Sequence, residues 1–154
     1  MPLESDKIIE EVISLVKNYE TNKDTVKQIR EAYEFAKIAH ANQTRAAGEP
    51  YVYHSVRSAL TLARMKMPAP LISAMLLHDV PEDTSYTIED IKKDFGEDIA
   101  SMVRGVTKLG KLKYRGVERY IENLRKMFVA MAEDLRVIFI KFAVVVIKRK
   151  KSWS

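Results

Sequence analysis

The chain contains no cysteine, which excludes disulfide bonds and thiolate metal ligands from the outset. Glycine and proline are scarce, at five each, and several of them, Gly48, Pro50, Pro68 and Gly96 among them, punctuate helix-like stretches. No convincing β-strand, internal repeat or second domain can be read along the chain. Long apolar runs are missing too. The most apolar stretch, Val137 to Ile147, is interrupted by Lys141 and falls well short of the roughly 20 residues needed to cross a bilayer, so no membrane partner is expected. The opening residues Met1-Pro2-Leu3-Glu4 carry no charged-then-apolar leader, and the expectation is a cytoplasmic protein. A distributed basic face is also absent. The net charge is +5, yet Lys148, Arg149, Lys150 and Lys151 supply four positive charges, so the body is nearly neutral and nucleic acid is not the expected partner.

What is present is one helical domain. A length of 154 residues with 47% hydrophobic composition is enough to bury a sizeable core. Ile8, Ile9, Val12, Ile13, Leu15, Val16 and Tyr19 form one apolar stripe; Val26, Ile29, Tyr33, Ala36 and Ile38 form a second, capped by Asn22 or Asp24. Residues 45–53, with Gly48 and Pro50, break the pattern and read as a site loop before a third helix through Val56, Leu60 and Leu62 that stops near Met67-Pro68. From Pro70 to about Asp79 almost every residue is apolar, which predicts a central helix buried on nearly all sides. Thr87 and Asp90 have capping-box spacing, Gly96 ends that short helix, and Ile99, Met102, Val103 and Val106 mark the next. A lysine-rich loop from Gly110 to Gly116 leads to a helix with Tyr120, Leu124, Met127 and Met131, and a last one runs through Leu135, Ile138, Phe139 and Phe142. The run Val144 to Ile147 could extend that helix, pair as a strand, or adhere to another molecule if exposed. The fold class is all-α, with about seven to eight helices.

Chemistry concentrates between residues 54 and 83. Two imidazoles, His54 and His78, and three carboxylates, Asp79, Glu82 and Asp83, fall within thirty positions. Glu82 lies four residues after His78, and Asp83 lies four after Asp79, so a continuous helix would put all four on one side. His78 and Asp79 could then hold a divalent cation while Glu82 and Asp83 bind and deprotonate a water. Pro81 works against continuity, predicting a kink or an end between the two pairs. Taken alone, His78-Asp79 reads as a helix cap and Glu82-Asp83 as a solvated turn; His54, entering from a second element after a Gly/Pro loop, favours a ligand set. His40 sits in an ordinary helical pattern and reads as structural.

Three ordered blocks carry a resemblance: Arg45-Ala46-Ala47-Gly48-Glu49-Pro50-Tyr51-Val52-Tyr53-His54, Ala74 to Thr84 around His78-Asp79, and Gly105-Val106-Thr107-Lys108-Leu109. Together they look like the hydrolase domain of RelA/SpoT homologues within the HD superfamily, over about Ala32 to Ala143. The resemblance implies an HD-type helical bundle over residues 1–143 that removes the 3′-pyrophosphate from guanosine 3′,5′-bis(diphosphate), usually with manganese. It makes His54, His78 and Asp79 metal ligands and gives Glu82 and Asp83 the activation of water. Arg45 and Tyr51 match loop positions that contact the nucleotide, and Lys108 could add a phosphate contact.

Departures from the pattern bear on activity. Ala46 and Ala47 stand where a basic and a hydroxyl residue are common, Ser55 replaces a usual proline, and Pro81 replaces an aliphatic residue. After Lys141-Phe142-Ala143 the family continues with Asp-Arg-Leu-His-Asn, whose Asp is the fourth protein ligand; here Val144 occupies that position, and valine cannot bind a cation. The change reads as an aberrant or truncated C-terminus, with 144–154 a divergent basic tail prone to self-association. Glu122 or Asp134 could supply the missing carboxylate from elsewhere. Two functions follow: a metal-dependent pyrophosphohydrolase weakened by the lost ligand, or an inactive remnant that binds nucleotide or protein.

Overall fold

In the computed structural model, which describes residues 3–43, 48, 50–110 and 134–153, every regular element is an α-helix. In chain order these are α1 Glu4–Lys17, α2 Lys23–Ala39, α3 Tyr51–Arg64, α4 Ala69–Leu77, α5 Val80–Asp83, α6 Ile88–Phe95, α7 Glu97–Gly110 and α8 Arg136–Trp153. Side chains are described as far as Thr107 in α7 and Val144 in α8. The expected helix with Tyr120, Leu124, Met127 and Met131 lies outside the described residues. Among those described, no helix is long and apolar enough to cross a membrane.

The helix starts follow local chemistry. Asn22 caps α2 by accepting from the N–H groups of Asp24 at 2.9 Å and Thr25 at 3.4 Å, satisfying donors that a helix start leaves unpaired. Thr87 and Asp90 form the expected reciprocal capping box on α6. The third helix departs from expectation at both ends. It opens at Tyr51, taking the last three residues of the anticipated loop, because Pro50 serves as its N-cap with φ −55°, a value its ring fixes. It stops at Arg64 because Lys66 takes φ 58° while the N–H of Met67 reaches Leu62 O at 3.1 Å and that of Lys66 reaches Ala63 O at 3.0 Å. This is a Schellman closure with lysine where glycine is usual.

Helix α4 is the hub, packed against α2, α3 and α7 and touching α8. Ala69, Leu71, Ile72, Ala74, Met75, Leu76 and Leu77 are all at most 1% exposed, and each large side chain contributes roughly 1.5–3 kcal/mol by leaving water. Around it, α1 packs on α2 and α3. Arg30 grips Glu10 through both oxygens, at 2.6 and 3.0 Å, and Tyr33, fully buried, donates its hydroxyl to Asp6. The Tyr19 hydroxyl donates to Met67 O at 2.6 Å, tying the end of α1 to the α3–α4 turn.

Helix α8 packs on α3 and α7 through Val137, Ile140, Ala143 and Val144, each at most 8% exposed. That corrects the expected face: Leu135, Phe139 and Phe142 are 65, 39 and 53% exposed. Small residues face inward because the helices come close. A β-carbon added to Gly105 on α7 would lie 2.6 Å from Val137 Cγ2, so a phenylalanine has no room at this crossing. Ile38 is likewise corrected from stripe to surface, at 66% exposure. The 144–147 run does not open a strand but continues α8. Val144 at its head is buried, contrary to the expectation of an exposed adhesive run; the side chains of 145–147 lie outside those described.

Candidate active site

The junction of α4 and α5 displays the site. Helix α4 ends at Leu77, His78 is its C-cap, and Asp79 is the N-cap residue of α5. Pro81 takes the second position of α5, where its missing N–H is one that a helix start leaves unpaired anyway. The predicted break therefore falls between Leu77 and Val80, one step earlier than the proline itself.

His78 is 5% exposed and its Nδ1 faces the carbonyl oxygen of Met75. That oxygen only accepts, so Nδ1 carries the proton and, in the neutral ring, Nε2 presents a lone pair. Nε2 lies 3.2 Å from Asp79 Oδ1, and the Asp79 side chain is only 18% exposed. Asp79 makes no side-chain capping bond, so the bland role of a cap does not account for it. At that distance either a proton on Nε2, giving a His–Asp ion pair, or a bound cation bridges the two atoms. His54, also 5% exposed, comes from α3, and its ring centre is 6.4 Å from that of His78. One ligand atom from each of His54, His78 and Asp79 lies within 4.8 Å of the others, a spread that one cation with bonds of about 2.0–2.2 Å can draw together.

A second group overlaps the first. Asp79, Glu82 and Asp83 also bring carboxylate oxygens within 4.8 Å of one another, so Asp79 is shared and the break in the helix does not separate the acid pair from the ligand pair. Glu82 and Asp83 are exposed. Partial loss of water around the Glu82 carboxyl, then the charges of Asp79 and Asp83, push its pKa above the ordinary carboxylate range; Lys141 and His78 pull the other way.

Tyr51 donates its hydroxyl to Asp83 Oδ2, and its ring stacks on His40 at 4.6 Å. Arg45 lies outside the described residues, and the Lys108 side chain lies outside those described. Of the substitutes for the lost carboxylate, Asp134 is taken by Arg136, which donates to it from Nε at 2.9 Å and from Nη2 at 2.8 Å; Glu122 lies outside the described residues. Lys141, whose charge reaches Glu82, precedes Val144 by three residues on α8 and so shares its face. Sequence reasoning missed Gln43, which donates its side-chain amide to Asp83 O. Its only signal is a position beside the loop.

Comparison with known proteins shows the family. A family model described as HD domain matches residues 32–149. The bifunctional (p)ppGpp synthase/hydrolase SpoT of Escherichia coli (strain K12) is 46% identical over 137 residues, covering 88% of this chain and 19% of its own length. A guanosine-3′,5′-bis(diphosphate) 3′-pyrophosphohydrolase of Aquifex aeolicus is 50% identical over 116 residues, covering 75% of this chain and 16% of its own. The chain thus spans less than a fifth of the length of these curated relatives. A solved structure of a metazoan ortholog of SpoT that hydrolyses ppGpp aligns with a TM-score of 0.61 at 30% identity, covering 76% of this chain and 65% of that one. The family match begins inside α2, ends inside α8 and takes in both overlapping groups of ligand atoms; the chain belongs to the HD-domain family.

Proposed function

We propose that this chain is a metal-dependent hydrolase domain that cleaves guanosine 3′,5′-bis(diphosphate) with water, giving GDP and pyrophosphate. The observation that carries the reading is the approach of His54, His78 and Asp79 to within 4.8 Å, brought together from α3 and the α4–α5 junction. Two imidazoles and a carboxylate suit manganese, iron or zinc, and manganese is the proposed ion. When bound, such a cation supplies Lewis acidity toward phosphate oxygens and solvent. The chain's own residues do the rest. Met75 O fixes the His78 ring through Nδ1–H, which orients Nε2 toward the site. Asp83 and Glu82 accept the proton of the attacking water, and the raised pKa of Glu82 brings it closer to the strength a base needs near neutrality. Arg45 and Lys108 contact the nucleotide's phosphates or base.

Burial of Val144 favours a second reading. A buried valine gives no fourth ligand, so weak ion binding and a remnant that only holds nucleotide or protein is the competing function. Purified chain with added manganese separates the two, by measuring bound metal and pyrophosphate release together. The hydrolase reading expects both, and expects Asp79→Ala to abolish both. Turnover that survives Asp79→Ala would exclude these roles, and metal-free, inactive wild-type protein would leave the remnant.

A further inference from the structure

A network outside the ligand set converges on Asp83 from the two ends of one loop. Gln43, just after α2, and Tyr51, the first residue of α3, flank the segment that carries Arg45. Their backbones are joined, the N–H of Tyr51 reaching Gln43 O at 3.3 Å. Both side chains then go to the same residue: Gln43 Nε2 donates to the backbone oxygen of Asp83 and the Tyr51 hydroxyl donates to its carboxylate. Behind them lies His40, 3% exposed, with its ring stacked on Tyr51, centroids 4.6 Å apart and planes 22° apart, and its Nδ1 2.8 Å from Gln43 Oε1.

The proton positions in this network follow by elimination. A backbone carbonyl only accepts, so the Gln43 amide must turn its NH₂ toward Asp83 and its oxygen toward His40. That oxygen also only accepts, so His40 must carry its proton on Nδ1. The polarity then runs in one direction, from His40 through Gln43 to Asp83. Among the described residues His40 Nε2 is buried without a hydrogen-bond partner.

We propose that His40, Gln43 and Tyr51 are positioning residues that lock Asp83 in place and couple it to the neck of the nucleotide loop. This rests on the hydrolase reading for its purpose, though not for its geometry. The brace explains why Asp83, an exposed residue at the end of a four-residue helix, can hold a fixed orientation. One partner fixes its backbone and another its carboxylate, and both partners belong to the loop's ends, so a shift of that loop moves the acid.

The test uses the full chain and the variants Gln43→Ala, Tyr51→Phe, His40→Ala and His40→Asn, with two readouts. The first needs no turnover. Long-range proton–nitrogen NMR should find His40 protonated at Nδ1, the Asp83 carboxyl carbon should shift in Tyr51→Phe, and its backbone carbonyl carbon should shift in Gln43→Ala. An unprotonated His40 Nδ1, or Asp83 resonances unmoved in both variants, overturns the brace whatever the protein catalyses. The second is steady-state hydrolysis of guanosine 3′,5′-bis(diphosphate) with manganese. A displaced base should lower kcat about tenfold in Gln43→Ala and Tyr51→Phe with KM nearly unchanged. His40→Asn, whose amide N–H takes the place of Nδ1–H, should recover most of what His40→Ala loses. KM rising with kcat unchanged in Tyr51→Phe would make that residue a nucleotide contact and overturn the positioning role. If the wild-type chain shows the expected resonances and no turnover, the hydrolase reading fails while the brace is supported.

Discussion

Replacing Val144 by aspartate asks the sharpest question of this chain. The residue is 8% exposed, so the change removes roughly 1.5–3 kcal/mol of apolar burial and places a carboxylate where water cannot fully reach it. Lys141, three residues earlier on the same face of α8 and already acting on Glu82, offsets part of that charge. Without metal the variant should lose about 2–5 kcal/mol, and at about 2–4 °C per kcal/mol for a domain of this size its melting point should fall by roughly 5–20 °C. Manganese should reverse much of the loss. A fourth ligand that tightens the ion at least about tenfold contributes a further ~1.4 kcal/mol of ligand-linked stability at saturating metal, so the variant's melting point should rise more with manganese than the wild type's does. Scanning calorimetry with and without the ion, beside Val144→Asn as an uncharged control of similar size, gives the comparison. Equal manganese-induced rises in wild type and V144D would refute the argument, because the α8 position would then have no access to the ion.

Gly105→Ala should destabilise the protein by up to about 2 kcal/mol: the new methyl would meet Val137 Cγ2 at 2.6 Å, and overpacking of about 1–3 kcal/mol outweighs a helix-propensity gain near 1 kcal/mol. Urea denaturation should show Val137→Ala costing less in that background than alone, and a G105A variant more stable than wild type would contradict the close crossing. Asp6 makes the acid limb of stability testable. The Tyr33 hydroxyl, with Lys37 behind it, holds the Asp6 carboxyl below its ordinary pKa, so its contribution is complete above the unfolded value near 3.9 and is lost as pH falls through the lower folded one. Asp6→Asn should be less stable at pH 7 and lose stability less steeply below about pH 4; parallel curves in acid-titrated melts would remove Asp6 from the account.

The helices that local chemistry alone specifies were legible. The apolar run from Pro70 predicts a helix buried on all sides, and α4 is that helix; the caps at Asn22 and Thr87 are seen with their bonds in place. Legibility fails where the partner decides. On α8 the large residues Leu135, Phe139 and Phe142 promise a core face, yet Val137, Ile140, Ala143 and Val144 are the buried ones, with Val137 close against Gly105. Ile38 does not share the period of the α2 stripe: at about 100° per residue it lies roughly opposite Ile29 on the helix, and it is exposed. The early stop of α3 depends on a left-handed lysine, for which composition gives no signal.

The site divides in the same way. Spacing alone puts His78, Asp79, Glu82 and Asp83 on one side only if the helix runs on, and it does not; Asp79 joins the two groups because α5 restarts immediately and keeps the four-residue interval from Asp79 to Asp83, whose N–H reaches Asp79 O at 3.0 Å. His54 is twenty-four residues away in sequence, and no periodicity within one helix can bring it to His78. That convergence is a property of how α3 packs on α4; the Gly/Pro loop before His54 points to it, and only resemblance to a known pattern specifies it. His40 is the converse case. Its helical setting reads as structural, yet its burial goes with an Nδ1 facing Gln43, which sets the polarity of a chain ending on Asp83. A residue can therefore be part of the core by accessibility and part of the site by hydrogen bonding, and only coordinates distinguish which of its ring atoms does which.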